Sequence, residues 1–337
     1  MSENQFVTKQ HQNTGKRKSI SYSQFSDWVK CPYMWYNGYV LKKKKYEPSI
    51  HTAFGQAIHE PIQMFVKLLY TEGSAAADGL DLIQMFETVF DKELSNEKQR
   101  SVKDDDGNYV LDSDGNKTFE MVGSPLEVSD EIRSEFLTQG KDILTTIQSY
   151  TNRKTIFPAN RYECVGIELP INISIKNNLS FIGFLDIVLR DKVSGKHVII
   201  DLKTSTRMWN KYQQSDALKL YQLLLYKAFY CKQYQIPLNK IGIEFLVLKR
   251  MLMENANFPE KRTQKVVPAS SKAFVDEALV HLIQFVDECF TENGQYNTDA
   301  IFRKTPHKGK SRYSNCRYCD FSNLNNGECD RKETKKL

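Results

Sequence analysis

Two acidic residues and a lysine carry the strongest chemical signal in the sequence. Asp186 ends the motif GFLD, and Asp201 and Lys203 belong to the motif DLK, in successive segments rich in β-forming residues. Neighbouring strands lie about 4.8 Å apart, so carboxylates at matching heights can share one divalent cation. Asp201 and Lys203, at alternate positions of one strand, point to the same face. Carboxylates suit Mg²⁺ or Mn²⁺, and the ammonium group can hold an attacking water or stabilise charge on a phosphate.

Three further polar residues extend this set. Gln222 and Tyr226 occur in YQLLLYKAFY, on the helix predicted directly after DLK, and their i,i+4 spacing places them on one helical face. His59 follows Gly55 at the same spacing in FGQAIHE, on an earlier predicted helix. A lone helical histidine is more often structural than a ligand. Here the two acids leave room for a third ligand, which favours the ligand role.

In this order the motifs resemble those of the RecB-type nucleases within the PD-(D/E)XK superfamily. That group includes the RecB and AddB nuclease domains, stand-alone CRISPR adaptation nucleases and phage exonucleases. The resemblance covers about residues 20–330. The matching motifs are Gly55-x-x-x-His59, Gly183-x-x-Asp186, Asp201-x-Lys203 and Gln222-x-x-x-Tyr226.

The resemblance implies a role for each residue of the site. His59, Asp186 and Asp201 would hold the divalent metal, with the carbonyl of Leu202 as a further ligand. Lys203 would position and activate the attacking water. The reaction implied is hydrolysis of a phosphodiester bond at a metal-polarised phosphate.

The same resemblance assigns supporting roles and partners. Gln222 and Tyr226 would support Lys203 and the DNA. We expect an exonuclease acting on DNA ends or single strands in recombination, repair or phage DNA metabolism, with a helicase or recombinase as a further partner. The alternatives are a non-catalytic DNA-binding protein with a metal-cysteine cluster and an endonuclease on the same core. The sequence has no G-x-x-x-x-G-K-[ST] motif, so we expect no nucleotide cofactor.

Three cysteines near the C-terminus have a spacing typical of metal sites. They are Cys316, Cys319 and Cys329. In the iron–sulfur members of the group that the sequence resembles, a Cys-Pro step near the N-terminus supplies a fourth ligand, and Cys31 precedes Pro32 here. Four thiolates would hold a [4Fe–4S] cluster that joins the two chain ends, with zinc as the alternative. The spacing from Cys319 to Cys329 is longer than is common in that group.

Composition and charge favour a protein that binds a polyanion. Residues 1–45 hold nine Lys or Arg against two acids, and residues 301–337 hold ten against four, whereas the chain between them is acidic overall. Two basic ends around an acidic centre fit a nucleic-acid surface beside a cation site. We predict no membrane span and no secretory signal. The odd cysteine count favours a reducing compartment, the cytoplasm of a bacterium or phage-infected host.

The elements that would position these residues follow from periodicity and turn signals. Helices are predicted over 21–40, 55–70, 80–95, 128–150, 214–233 and 271–292. Strands are predicted over 162–175, 179–190, 196–205, 240–250 and 262–268. The predicted fold class is α/β, with a mixed central sheet, flanking helices and the cysteine cluster joining the termini, as in a PD-(D/E)XK restriction-endonuclease-like core.

The predicted domain organisation is one nuclease domain over residues 21–337 after a disordered basic tail, 1–20. The domain would comprise a mostly helical part, a catalytic core and a basic cysteine tail. Their predicted bounds are 21–155 with a surface hairpin at 104–120, 160–295 and 301–337.

Overall fold

A computed structural model of the protein describes residues 18–43, 49–96, 98–101, 118–253 and 260–302, and residues 304, 316, 319–322 and 329. The α-helices in this part of the chain are α1 (Tyr22–Lys30), α2 (Pro32–Trp35), α3 (Ile50–Thr71), α4 (Ser74–Asp78), α5 (Leu82–Ser95), α6 (Asp130–Gln148), α7 (Tyr150–Ile156), α8 (Lys211–Gln214), α9 (Ala217–Tyr234) and α10 (Lys272–Cys289). A π-helix, Tyr36–Val40, continues α2, and a 3-10 helix, Leu238–Lys240, precedes β7. The strands are β1 (Lys18–Ser21), β2 (Lys98–Ser101), β3 (Phe119–Val122), β4 (Tyr162–Ile175), β5 (Leu179–Asp191), β6 (His197–Ser205), β7 (Ile241–Lys249) and β8 (Thr263–Val266).

The central sheet has six strands and mixed directions. β5 pairs with β4 along one edge, and its other edge is shared by β1, which runs parallel to it, and β6, which runs antiparallel. Beyond β6 lie β7, parallel to β6, and β8, antiparallel to β7. This architecture confirms the predicted α/β class with a mixed central sheet.

The strands β4, β5 and β6 form the predicted meander, and local turn chemistry sets its register. Asn177 and Asn178, between β4 and β5, have φ angles of 56° and 52°, in the left-handed region that a tight hairpin turn requires. At the next turn the side chain of Asp191 accepts hydrogen bonds from the backbone of Val193 and Ser194. These two turns confirm the turns predicted from the sequence.

The edge of β5 opposite β4 is interrupted at one place. Leu179–Ile182 pair with β1, and Ile187–Arg190 pair with β6. Between these ladders, residues 183–186 have no strand partner on that edge within the part of the chain that the structure describes. Residues 183–186 are the GFLD motif, so its backbone and side chains lie at an opening between two strand ends.

Helices cover both faces of the sheet. On one face, α1, α9 and α10 contribute side chains such as Phe25, Leu223 and Phe285 to a core that includes Phe181 and Val247 of the sheet. On the other face, α3, α5 and α6 pack through a second core. The burial of large apolar side chains on both faces, each stabilising by about 1.5–3 kcal/mol, holds the interrupted strand in place.

The chain near its N-terminus differs from the prediction in two respects. Lys18–Ser21 form β1 and Ile20 is fully buried, so the prediction that the fold starts at residue 21 is wrong. Lys18–Ser21 form a strand because they pair with β5, which is distant in the sequence. The predicted helix over 21–40 is also interrupted at Cys31, whose φ of −167° is extended, because the next residue is Pro32. Residues 1–17 of the predicted tail lie outside the described residues.

The predicted surface hairpin lies mostly outside the described residues. Its flanking strands β2 and β3 are described and pair antiparallel, from Lys98–Val122 to Ser101–Phe119. None of the helices described here is both long and apolar enough to cross a membrane.

Candidate active site

The two motif acids come together where the β5–β6 ladder ends. That ladder ends at Ile187 and Ile200, so the next part of β6 has no backbone partner on β5. The Asp186 carboxylate takes that place, and its Oδ2 accepts a hydrogen bond of 2.7 Å from the Leu202 backbone N–H. GFLD and DLK are therefore joined by a side-chain hydrogen bond in place of a continued ladder.

Asp201 and Lys203 complete the centre of the site on β6. Lys203 Nζ lies 2.8 Å from Asp201 Oδ2. Asp201 is only 3% exposed, so this contact is a buried ion pair. A buried carboxylate beside a second acid is a position suited to a divalent cation.

The pKa shifts of Asp186 and Asp201 also favour a bound cation at this position. Burial raises the pKa of Asp186, and the negative charge of Asp201 raises it further. Burial also raises the pKa of Asp201, against the opposing effect of Lys203. Burial acts to lower the pKa of Lys203, but both acids outweigh it, so the net shift is upward and the lysine stays charged. A divalent cation would relieve the repulsion between two desolvated carboxylates.

His59 lies beside these acids on α3. Its Nδ1 is 3.8 Å from Asp186 Oδ2. Burial lowers the pKa of His59 to about 4, the charge of Lys203 adds to this effect, and a hydrogen bond to the Leu202 backbone opposes it. At neutral pH the imidazole is therefore uncharged, the form in which histidine binds metals. Gly55 lies one turn before His59, and a Cβ there would lie 3.4 Å from Thr204 Oγ1, so α3 packs close to β6 at this point.

Gln222 and Tyr226 reach the site from α9. Lys203 Nζ donates a 3.1 Å hydrogen bond to Gln222 Oε1, and Gln222 Nε2 donates a longer one, 3.4 Å, to the Tyr226 hydroxyl. Gly183 of the interrupted edge lies directly against Tyr226, since a Cβ there would be 2.9 Å from the tyrosine ring. The structure thus brings together all the catalytic and metal-binding residues that the sequence predicts.

Glu168 and Gln63 belong to the same neighbourhood, and the sequence analysis missed both. Glu168 of β4 faces Asp186 across the sheet, between the pairs Ile167–Ile187 and Leu169–Leu185. Gln63, one helical turn beyond His59, donates a hydrogen bond to the Glu168 carboxylate and a 3.5 Å one to the Asp186 carbonyl.

The backbone at Glu168 is strained. Its φ of 46° is unusual for a residue other than glycine, and such strain is concentrated at functional sites. The i,i+4 spacing of His59 and Gln63 was the available sequence signal.

Tyr22 is a third residue of this neighbourhood that was not predicted from the sequence. β1 ends with Ser21 paired to Ile182, so Tyr22 follows at the level of Gly183. Its hydroxyl is buried and has no hydrogen-bond partner in the described part of the chain. Burial raises the pKa of Tyr22, and Asp216, Tyr226 and Asp201 raise it further. The hydroxyl therefore lies within electrostatic reach of Asp201 and Tyr226.

The four predicted cluster cysteines are neighbours in the structure. Burial raises the pKa of Cys319 to about 11, and Cys31, Cys316 and Cys329 each add to this effect. The backbone N–H of Cys319 donates a hydrogen bond to the Cys316 carbonyl, and the backbone of Cys329 pairs with that of Ser322 in an isolated β-bridge. The two chain ends therefore meet at these cysteines.

Neither the acids with His59 nor the cysteines form a complete set of metal ligands in the described part of the chain. Among the described residues, no group of three or more His, Cys, Asp or Glu side chains is arranged closely enough to hold a metal ion.

Fold and site together describe an α/β protein with two acids and a lysine beside an unpaired stretch of a mixed sheet. In a comparison with protein families, residues 19–324 match the PD-(D/E)XK nuclease superfamily. The chain therefore belongs to this superfamily, whose members are metal-dependent nucleases that use divalent cations such as Mg²⁺ or Mn²⁺. No curated protein matches the chain.

Proposed function

We propose that the protein is a divalent-metal-dependent deoxyribonuclease that acts as an exonuclease on DNA ends or single strands. The single observation that supports this most strongly is the hydrogen bond from Leu202 to Asp186, because it brings the acid of GFLD to the acid and lysine of DLK. The three charged groups then lie together at the end of the β5–β6 ladder, where we propose that a phosphate binds.

The residues present fit a hard divalent cation. His59, Asp186, Asp201 and the Leu202 carbonyl would hold Mg²⁺ or Mn²⁺, since they offer a neutral imidazole and oxygen donors. When bound, such a cation polarises the scissile phosphate and lowers the pKa of water. The burial of Asp201 beside Asp186 supports this assignment, because a cation would offset the repulsion between the two carboxylates.

Lys203 has the role of placing the nucleophile and stabilising charge. Its ammonium group, held as a cation by Asp201 and Asp186, orients the attacking water toward phosphorus and interacts with the negative charge that develops on the phosphate oxygens. Gln222 restricts the ammonium group through its 3.1 Å hydrogen bond, and Tyr226 restricts Gln222. These two are positioning residues, and the family resemblance also gives them contacts with DNA.

The cysteines are proposed to hold a [4Fe–4S] cluster, with zinc as the alternative metal. The proximity of Cys31, Cys316, Cys319 and Cys329 supports a set of four thiolates. A buried group of thiols gains from a cation that stabilises the thiolate form. The role would be structural, because the cluster would fix the two chain ends to one nuclease domain that includes β1.

The biological setting is proposed from the motif resemblance. The protein would be a RecB-type nuclease, similar to AddB or to the CRISPR adaptation nucleases or a phage exonuclease. It would act in the cytoplasm in recombination, repair or phage DNA metabolism, together with a helicase or recombinase.

Cleavage of two labelled substrates tests the enzymatic proposal. End-labelled linear DNA and closed circular single-stranded DNA are incubated with Mg²⁺, Mn²⁺ or EDTA, alongside the Lys203→Ala variant. Metal-dependent loss of linear DNA only, absent in the variant, is the expected result. Cleavage of circles would make the protein an endonuclease, and DNA binding without cleavage under either metal would contradict an enzymatic role.

A further inference from the structure

The chain directly after the catalytic strand β6 forms a distinct surface, residues 206–212. It begins where β6 and the parallel strand β7 both end. The two strand ends stay linked, since Arg250 N–H donates to the Ser205 carbonyl and Met251 N–H to the Thr206 carbonyl, at 2.9 and 3.0 Å. The carboxyl ends of parallel strands are a common place for ligands. Thr206 follows Lys203 by three residues, on the order of 10 Å along an extended strand.

A buried tryptophan anchors this segment. Trp209 is 4% exposed and packs edge-on against Phe245 of β7, with ring centroids 5.2 Å apart. Its backbone N–H donates to Gln264 Oε1 at 2.7 Å, and its carbonyl accepts from Gln264 Nε2 and Gln214 Nε2 at 3.1 and 2.7 Å. The segment is therefore fixed to β7, β8 and α8.

The residues on either side of this anchor are exposed. Met208 is 49% and Tyr212 83% exposed. Arg207 and Lys211 are exposed too, and neither forms an ion pair within the described ranges. Single exposed apolar residues are ordinary. Here, however, two cations and two large apolar side chains occur within seven residues on an anchored backbone beside the catalytic strand.

We propose that segment 206–212 is a binding surface for single-stranded DNA next to the scissile phosphate. Arg207 and Lys211 contact backbone phosphates, and Tyr212 and Met208 pack against unstacked bases. In a duplex the base faces are covered by stacking, so a duplex would use the two cations and leave the apolar side chains without a partner. The inference rests on the proposed nuclease function, because the strand it binds would be the one cleaved.

The contribution of stacking is tested with Tyr212→Ala. Binding of a labelled oligodeoxythymidine and of a blunt duplex of equal length is measured by fluorescence anisotropy in EDTA, so that no cleavage occurs. We expect affinity for the single strand to fall about tenfold and affinity for the duplex to stay unchanged. Tyr212→Phe should keep the wild-type affinity. The matched control is Tyr150→Ala, which removes a 62% exposed tyrosine from α7 and should change neither affinity.

The contribution of the cations is tested by the salt dependence of the same binding. Arg207→Gln and Lys211→Gln should each reduce the slope of log K against log salt by about 0.7 for the single strand. The control is Lys192→Gln, an exposed cation in the turn at the opposite end of β6, where no change is expected. Melting temperatures of all variants check that the fold is retained.

Two results would overturn the inference while leaving the nuclease proposal intact. One is wild-type affinity of Tyr212→Ala for the single strand, in a protein that cleaves DNA with Mg²⁺. The other is an equal loss of affinity for both substrates, which would mean that bases are not contacted. If the wild-type protein neither binds nor cleaves any DNA, the proposed function itself is wrong.

Discussion

The Asp186 carboxylate accepts the backbone N–H of Leu202 at 2.7 Å, immediately beyond the last β5–β6 pair, Ile187–Ile200. The side chain thus takes over the hydrogen bond that another strand residue would have supplied. Because Leu202 stands between Asp201 and Lys203, this one bond fixes the height of GFLD relative to DLK. It also consumes only part of the hydrogen-bonding capacity of Asp186, so the carboxylate can still bind a cation.

The first prediction concerns Asp201. Replacing it with asparagine keeps the shape of the side chain and removes a metal-binding charge, so metal-dependent cleavage should fall by at least about a hundredfold. Mn²⁺ at a hundred times its Kd should stabilise the wild-type protein by about 2.7 kcal/mol, seen as a rise in melting temperature, and should have a much smaller effect on the variant. Asp91→Asn, at an exposed ion pair with Arg133, is the control and should behave as wild type. A fully active Asp201→Asn protein would refute the assignment.

The second prediction ranks the supporting residues on α9. Gln222→Ala should lower kcat by about ten- to a hundredfold with little change in KM, because the freed Lys203 still binds but is misplaced. Tyr226→Phe should have a smaller effect, since the hydroxyl makes only a 3.4 Å hydrogen bond. Gln233→Ala on the same helix, where the glutamine bonds Pro170 and Asn172, should leave kcat unchanged. The reverse order of effects for Gln222 and Tyr226 would contradict the contact chain described here.

The local parts of this site were predictable from the sequence, and its long-range parts were not. The meander of β4, β5 and β6 follows from β-rich runs and Asn or Gly turns, and both DLK and Gln222-x-x-x-Tyr226 depend only on strand or helix periodicity. The opening at residues 183–186, by contrast, requires β1 to pair with β5. That pairing joins Ser21 to Ile182, which are far apart in the chain, and no local sequence pattern predicts it.

Glu168 and Tyr22 were missed for the same physical reason. Glu168 lies between the apolar residues Ile167 and Leu169 of β4 and is exposed, as its charge predicts, but α3 brings Gln63 to its carboxylate. Tyr22 begins a helix whose direction is set by β1. In both cases the environment of the side chain is created by an element distant in sequence.

The third prediction concerns Glu168. Glu168→Gln should raise the Mg²⁺ concentration needed for half-maximal cleavage by about ten- to a hundredfold, because the carboxylate contributes negative charge near Asp186 and is held by Gln63. Metal titrations of initial cleavage rates measure this. Glu163→Gln is the control on the same strand, where the glutamate forms an exposed ion pair with Arg190, and it should need no more metal than wild type. An unchanged Mg²⁺ requirement in Glu168→Gln would show that Glu168 does not contribute to metal binding.

The fourth prediction concerns the cysteines. Cys316→Ser should lose bound metal and lower the melting temperature, while the remaining folded protein keeps most of its activity, since the cluster would be structural. Iron and zinc analysis of the purified protein, with its visible absorbance, identifies the metal. Cys164→Ser, at a partly buried cysteine of β4, should retain the full metal content. Equal metal content and stability in Cys316→Ser and wild type would rule out the proposed clamp.

The last prediction uses the contact between Gly183 and Tyr226. A methyl group at Gly183 would lie 2.9 Å from the tyrosine ring, closer than side chains tolerate, so Gly183→Ala should lower the free energy of unfolding by about 1–3 kcal/mol. The displaced ring should also disturb Gln222 and reduce kcat. Urea unfolding and cleavage rates measure both effects. Gly242→Ala on β7 is the matched control, because the nearest atom to its Cβ would be 3.7 Å away.

A double variant separates steric displacement from general damage to the strand. If the clash with Tyr226 is the cause, Gly183→Ala combined with Tyr226→Leu should be less destabilised than the sum of the two single variants, because the smaller side chain makes room for the methyl group. Strict additivity would mean that Gly183 is needed for the backbone of the open edge and not for the close approach of α9.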